Sequence, residues 1–273
     1  MKLNVSIVLY HTPVAELNNV LSVLLQAKEV NRIYLVDNSE GPLRLPVEDE
    51  RIVYRFSGAN LGFGKGHNVA IRESVREGVP FHLVMNSDIT FSAANIAEML
   101  AYMKTHSDVA CMMPNVQFPT GKPQRLCKLL PTPVDLLGRR FLPEMFIRNR
   151  NARYELEFTG YNRIMNVPAL SGCFLLCRTD ALDKAGMFDE RFFLYCEDID
   201  LTRRMHAQGK TLFYPNVTIS HDFRRGSYTN LRLMWTHMRS ACLYFGKYGW
   251  LRDPERDRIN NEFLTNQEFE SRG

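Results

Sequence analysis

Asn4-Val-Ser-Ile-Val-Leu-Tyr10, then Glu16 to Lys28, then Arg32-Ile-Tyr-Leu-Val36 running into Asp37-Asn38-Ser39, is the stretch that decides the fold. The first run is apolar and β-branched without alternation, which predicts a strand covered on both faces, and Pro13 ends it. Leu17, Val20, Leu21, Leu24 and Leu25 share one helical stripe, and the third run is apolar again, so the unit reads strand, helix, strand. Outward from it, Arg51 to Phe56 predicts a third strand, Gly58 to His67 a glycine-rich loop and Asn68 to Glu77 a helix stopped by Gly78. Phe81 to Met85 predicts a fourth strand that runs into Asn86-Ser87-Asp88. Alternation of this kind implies an α/β fold, Rossmann-like, with a mainly parallel sheet, helices on both faces and ligands at the carboxyl ends of the strands.

Beyond this half, Ala94 to His106 predicts a helix and Val109 to Met113 a strand, after which periodicity stops. Residues 114–168 hold Pro, Arg and scattered aromatics, with only Val134 to Phe141 hinting at a helix, a pattern that suits a binding loop or lid. Pattern returns in Ser171 to Arg178 (strand), Thr179 to Ala185 (helix), Asp198 to Gln208 (helix), Thr211 to Tyr214 (strand) and Leu231 to Lys247 (long final helix). The expected division is a domain over 1–225 and a C-terminal helical extension over 226–273, with a charged tail that frays beyond Arg252.

The 273 residues are 45% apolar and 23% charged, which excludes disorder, collagen and coiled coil. No apolar run approaches the roughly 18 residues of a spanning helix, and the N-terminus does not read as a signal peptide, so the expectation is a cytoplasmic protein. Six cysteines form no CxxC pair and sit mostly in apolar strings, where thiols act as small core residues. The net charge of +4 is too small to imply nucleic acid. The charge is uneven, however: Lys122, Arg125, Lys128, Arg139, Arg140, Arg148, Arg150 and Arg153 face only Asp135 and Glu144, which marks a contact for an anionic partner.

Four polar clusters follow predicted strands: Tyr10-His11-Thr12, Asp37-Asn38-Ser39, the Asn60 to Asn68 loop, and Asn86-Ser87-Asp88. Each alone is ordinary turn chemistry, but four successive polar strand exits exceed what turns require. Asn60-Leu-Gly62-Phe-Gly64-Lys65-Gly66-His-Asn68 fails the dinucleotide fingerprint in spacing and follows the wrong strand, which excludes a dehydrogenase. Its glycines permit close backbone approach to a ligand, with Lys65 near a phosphate. Asp88 suits a divalent cation on a nucleotide diphosphate, or else caps a helix. Phe188-Asp-Glu-Arg-Phe-Phe-Leu-Tyr-Cys-Glu197-Asp198-Ile-Asp200 places three acids at a helix start beside an aromatic wall, an environment that tunes a base upward, although acids there also favour the helix dipole. His221, followed by Arg224-Arg225, suits a metal-bound pyrophosphate.

In this order Val8-Leu-Tyr10, Val36-Asp-Asn-Ser39, the Asn60 to Asn68 loop, Met85-Asn-Ser-Asp88, Ser171-Gly172-Cys-Phe-Leu-Leu-Cys-Arg178, Phe188-Asp-Glu through Glu197-Asp-Ile-Asp-Leu201, and His221 resemble the inverting glycosyltransferases of family 2, with the GT-A fold, in the rhamnosyltransferase-like branch. The resemblance implies a nucleotide-sugar site drawn from Tyr10, Thr12, Asp37, Asn38, Gly62, Lys65, Asn68, Asn86, Ser87, Asp88 and Gly172, with Asp37 holding the base. It implies Asp88 and His221 as contacts of Mg²⁺ or Mn²⁺, although the usual Asp-x-Asp here reads Asn86-Ser87-Asp88. It further implies Asp198 as the general base, with Glu197, Arg224 and Arg225 on the acceptor side and the arginines countering charge on the departing diphosphate.

The expected reaction is single-displacement transfer from dTDP-rhamnose to a glycan or lipid-linked acceptor of the cell surface, with peripheral membrane contact through the basic segment. A UDP-hexose or UDP-N-acetylhexosamine donor is the alternative, and a non-catalytic sugar-nucleotide or RNA binder a remote one. Nucleic acid is not an expected partner, because the basic segment lacks interleaved stacking aromatics. Trp235, His237, Arg239, Ser240, Tyr244 and Phe245 on the last helix are expected to pack across the sheet or between protomers of a homo-oligomer, with contact of the polar members to acceptor or diphosphate as the alternative.

Overall fold

The computed structural model describes residues 2–138, 143–222 and 231–270. Nine strands form one sheet: β1 (Leu3–Leu9), β2 (Val30–Asp37), β3 (Ile52–Phe56), β4 (Phe81–Met85), β5 (Ile89–Thr90), β6 (Val109–Gln117), β7 (Met165–Asn166), β8 (Phe174–Arg178) and β9 (Lys210–His221). Their order is β3-β2-β1-β4-β8-β6-β9-β5, with β7 beside β9. The pairings β1–β2, β1–β4, β2–β3 and β6–β9 are parallel, while β8 runs antiparallel between β4 and β6. The helices are α1 (Val14–Leu24), α2 (Phe63–Arg76), α3 (Ala93–Thr105), α4 (Glu144–Tyr154), α5 (Thr179–Lys184), α6 (Glu197–His206), α7 (Leu231–Tyr248) and α8 (Pro254–Glu270). A π-helical turn, Val134–Gly138, stands where the sequence hints at a short helix; residues 139–142 of that expectation lie outside the described residues.

Register gathers the strand exits. Leu9 pairs with Asp37 and Ile7 with Met85, so the chain leaves β1, β2 and β4 along one edge of the sheet. Strand β1 is buried on both faces, and two of its side chains are polar because they meet polar partners. Ser6 Oγ lies 2.7 Å from His67 Nδ1 and 2.8 Å from His82 Nε2, and Ser74 Oγ lies 2.8 Å from His82 Nδ1 and accepts from Asn4 at 3.0 Å. Burial lowers both histidines below their ordinary value, His82 to about 3, so this chain of neutral groups pins α2 to the sheet.

Three expectations change. The glycine-rich segment is not a loop up to His67: α2 begins at Phe63, and a Cβ at Gly66 would stand 2.7 Å from Val8 Cγ2, one at Gly64 2.8 Å from Phe188 Cβ. Those two glycines admit protein rather than ligand. The strand expected at Thr211 to Tyr214 extends as β9 to His221. The tail expected to fray is α8, whose Phe263 joins the main core and whose entry is fixed by a buried ion pair, Arg203 to Asp253 at 2.6 and 2.8 Å. Five of the six free cysteines are buried and Cys242 is exposed.

Candidate active site

Asp37 ends β2 fully buried. Its Oδ1 accepts from the Ser39 amide at 3.0 Å, and its Oδ2 from the Leu43 amide at 3.1 Å and the Tyr54 hydroxyl at 2.6 Å. Burial raises its pKa, but these donors outweigh that and hold it below the usual carboxylate value. Asn38 donates to the Gly62 carbonyl at 3.1 Å and accepts from Ser57 at 3.0 Å, which ties the end of β2 to the start of α2. Gly62 has φ 82°, and a Cβ there would meet the Phe193 carbonyl at 2.2 Å, so only glycine fits.

Beyond β4, Asn86 donates its amide to the Cys173 carbonyl at 2.9 Å, which seats it beside the strand that follows Gly172. The antiparallel pairing of Ile89 with His221 brings Asp88 to the end of β9. His221 Nε2 lies 3.2 Å from Asp88 Oδ1 and 3.3 Å from Asn86 Nδ2; its Nδ1 lies 3.1 Å from Gln124 Oε1, while Gln124 Nε2 donates to the His221 carbonyl at 2.7 Å. Burial lowers the pKa of His221, and Asp88 and Cys173 overcome it, raising it to about 10. Asp88 Oδ1 is buried, and its close neighbour is the His221 ring, with which it pairs in charge. Paired in this way His221 carries a proton, and the Asp88 oxygen and the His221 ring would face a hard cation once that proton is displaced, with phosphate and water filling its other positions. Among the described residues no three His, Cys, Asp or Glu side chains converge on a metal, so an ion held by Asp88 and His221 would need substrate oxygens and water for its remaining positions.

The third group lies at the start of α6. Asp198 Oδ2 accepts from the Gly172 amide at 3.3 Å and its Oδ1 from the Ile199 amide at 2.8 Å, and Gly172 itself sits 3.1 Å, measured from its ideal Cβ, from the Phe63 ring. Burial raises the Asp198 carboxyl; Lys128 and the backbone amides oppose it without cancelling it. Glu197 turns inward, 6% exposed, with Oε2 lacking a hydrogen bond, and burial reinforced by Asp198 raises its carboxyl far above the ordinary value. The preceding Tyr195 and Cys196 both have positive φ, 70° and 65°, a conformation that concentrates at functional sites.

The structure therefore connects Asp37 and Asn38 to Gly62, Phe63 to Gly172, Gly172 to Asp198, and Cys173 to Asn86, which leads to Asp88 and His221. Tyr10 and Lys65 are exposed at the rim, and the Tyr10 amide donates to Thr12 Oγ1 at 3.3 Å. Ser87 donates to Glu16. Asn68 is committed to scaffolding: its side chain donates to the Phe188 carbonyl at 2.9 Å and to Glu190 at 3.1 Å and accepts from the Phe188 amide at 3.0 Å. Arg224 and Arg225 lie outside the described residues. Sequence reading missed Gln124 and Tyr54, and it gave Lys128 and Cys173 no part beside Asp198 and Asn86; only their neighbours in space, not their neighbours in sequence, mark them.

No family model matches the chain. It is 25% identical over 221 residues to N-acetylglucosaminyl-diphospho-decaprenol L-rhamnosyltransferase of Mycobacterium tuberculosis, covering 73% of this chain and 69% of the relative. Over 97 residues it is 31% identical to rhamnosyltransferase WbbL of Escherichia coli, covering 34% of this chain and 36% of the relative. Among solved structures it is similar to Staphylococcus aureus TarS 1-349 in complex with UDP-GlcNAc, with TM-score 0.57, 17% identity and coverage of 99% of this chain and 73% of that one. It is likewise similar to GalNAc-T7 with UDP, GalNAc and Mn²⁺, with TM-score 0.57 and 12% identity over 82% of this chain and 44% of that one. The sheet, the helices around it and these likenesses define a glycosyltransferase of the GT-A fold. Its curated relatives are rhamnosyltransferases, to which the chain is similar at 25–31% identity.

Proposed function

We propose that the protein transfers a sugar from a nucleotide diphosphate sugar, dTDP-rhamnose by preference over a UDP-hexose or UDP-N-acetylhexosamine, to a hydroxyl of a lipid-linked glycan, inverting the anomeric centre. The observation that carries the reading is Asp198, a carboxylate with raised pKa held by the Gly172 amide, with the next residue, Cys173, bonded to Asn86 beside the Asp88–His221 pair. The adjacent residues Gly172 and Cys173 thus hold Asp198 and Asn86, which supports a base and a diphosphate-side contact close to one another.

In this reading Asp198 takes the acceptor proton, and its raised pKa makes it a better base near neutral pH than a free carboxylate. Asp88 and His221 would hold Mg²⁺ or Mn²⁺, which when bound stabilises negative charge on the departing diphosphate. Gly62 and Asn38 fix the wall against which the nucleotide lies, and Asp37 shapes that wall through Tyr54 and the 39–43 turn. Arg224 and Arg225 are assigned to the diphosphate from their sequence position.

A lipid-linked acceptor places the protein at the inner face of the cytoplasmic membrane. Exposed Met145 and Phe146 share α4 with Arg148 and Arg153, and exposed Leu231 and Trp235 share α7 with Arg232, two pairings of apolar and basic groups that favour an anionic lipid surface. No helix among the described residues is long and apolar enough to cross a membrane. Flotation with vesicles of anionic or neutral lipid tests this part; equal recovery with both overturns it.

The principal test is Asp198→Asn, assayed for transfer from dTDP-rhamnose, UDP-glucose and UDP-N-acetylglucosamine and, in parallel, for nucleotide binding by calorimetry. Transfer is expected to vanish while binding persists, and dTDP is expected to bind tightest. Parallel loss of both overturns the assignment of the base.

A further inference from the structure

Helix α7 lies along the loop that leads into Asp198 and touches it at three successive levels. Ser240 Oγ donates to the Leu194 carbonyl at 2.7 Å. Next, Ala241, Tyr244 and Phe245 enclose Phe192 and Cys196 in a buried apolar cluster separate from the main core. At the end of the helix Lys247 Nζ stands 3.0 Å from Asp189 Oδ2 and 2.6 Å from Asp200 Oδ1, and the Tyr248 hydroxyl donates to that same Asp200 oxygen at 2.8 Å.

Asp189 opens the segment and Asp200 closes it, so one ammonium ties both ends together with Glu197 and Asp198 in between. Inside this bracket fall Tyr195 and Cys196, at φ 70° and 65°. Consecutive non-glycine residues hold such a conformation only where their surroundings over-determine it, and α7 supplies those surroundings.

Lys247 is not needed to neutralise either carboxylate. Asp200 is gripped by Arg204 Nε and Nη2 at 2.9 and 2.6 Å, and Asp189 by Arg191 Nε and Nη2 at 2.8 and 2.5 Å. Each acid keeps a guanidinium of its own when the lysine is removed, so the fold is not left with an unpaired buried charge. What the lysine alone supplies is the link between the two ends.

We infer that Lys247 is a positioning residue for the base: by bridging Asp189 and Asp200 it holds the strained turn that aims Asp198 at the acceptor hydroxyl. The C-terminal extension is then part of the frame of the reacting centre. This rests on Asp198 acting as the base.

The test uses the full chain carrying Lys247→Met or Lys247→Arg, with Asp198→Asn alongside. Turnover, acceptor KM, calorimetric affinity for the nucleotide diphosphate with Mn²⁺, and thermal midpoint are read for each. For Lys247→Met, kcat is expected to fall by about 10²-fold, the scale of a misplaced catalytic group, with nucleotide affinity unchanged. Lys247→Arg should recover most of the loss, because a guanidinium can span two carboxylates. Should Lys247→Met not fold, Asp189→Ala removes one end of the bridge, leaves Asp200 its Arg204 and Tyr248 bonds, and carries the same expected loss of kcat. Unchanged kcat, parallel loss of kcat and nucleotide affinity, or no recovery with arginine overturns the inference. An active Asp198→Asn overturns the base assignment instead, whereas an inactive Asp198→Asn beside a fully active Lys247→Met overturns only the role of Lys247.

Discussion

His221 Nε2 and Asp88 Oδ1 meet at 3.2 Å because β5 and β9 pair antiparallel with Ile89 opposite His221. Gln124 clasps the histidine from the other side through both its ring and its carbonyl. If the pair contacts the cation, Asp88→Ala and His221→Ala will each weaken nucleotide diphosphate binding in the presence of Mn²⁺ and leave the weaker metal-free binding as it was. Gln124→Leu, which removes both of these bonds and leaves Asp88 and His221 in place, should cost about 10–100-fold in metal affinity, the usual effect of losing an orienting partner. Calorimetric titrations with and without Mn²⁺ decide this; equal weakening in both would remove the metal role.

Glu197 makes a prediction of opposite sign to that of most native carboxylates. Burial raises its folded pKa above the ordinary glutamate value of 4.5, so the folded state binds more protons than the unfolded chain. Stability then falls as pH rises from that value toward the folded one, instead of rising as it does for a salt-bridged acid. Glu197→Gln keeps the shape and removes the titration. Thermal midpoints taken between about pH 5 and 8 should decline for the native chain relative to the variant. A native curve that tracks or climbs above that of the variant would show Glu197 to be ionised and stabilised in the fold.

The first half of the fold is legible because its strands are covered on both faces and its helix carries one apolar stripe: Val5, Ile7, Leu17 and Leu21 are fully buried where the pattern puts them. The exits at Asp37, Asn86 and Asp88 are legible for the same reason, since a parallel sheet gathers them. The glycine run misleads because spacing cannot say what approaches a glycine, and here Val8 and Phe188 do. Helix α8 is hidden because it has no single apolar face, and its anchors, Arg203 on α6 and Asp253, are distant in sequence. Gln124 is hidden in the patternless 114–168 region, where its function depends on a strand that ends far along the chain.

Gly66→Ala should destabilise the protein although alanine favours helices. Its Cβ would stand 2.7 Å from Val8 Cγ2 and 3.1 Å from Val8 Cγ1, so the half-buried Val8 side chain on β1 would have to shift. Overpacking of this kind costs about 1–3 kcal/mol. Chemical denaturation of Gly66→Ala, Val8→Ala and the double variant checks the mechanism, because the double should lose less than the sum of the singles. Additive losses would mean that the two side chains do not collide.

The ion pair at the entry to α8 separates two kinds of charge deletion. Arg203 is 3% exposed, its guanidinium bonded to Asp253 at 2.6 and 2.8 Å and stacked 3.9 Å from the centre of the Tyr248 ring. Glu255, which also reaches Arg203 at 2.7 Å, has a side chain 52% exposed. Asp253→Ala removes the buried partner and leaves the guanidinium short of its charge balance, so a loss of about 3–5 kcal/mol is expected. Glu255→Ala removes a solvated partner and should cost about 0–1 kcal/mol. Replacing both members, Arg203→Met with Asp253→Leu, removes the charge that would be stranded, and should therefore be less harmful than Asp253→Ala alone. Denaturant midpoints of the three variants test this order; a double variant weaker than Asp253→Ala would mean that the pair stabilises α8 by more than the cost of burying it.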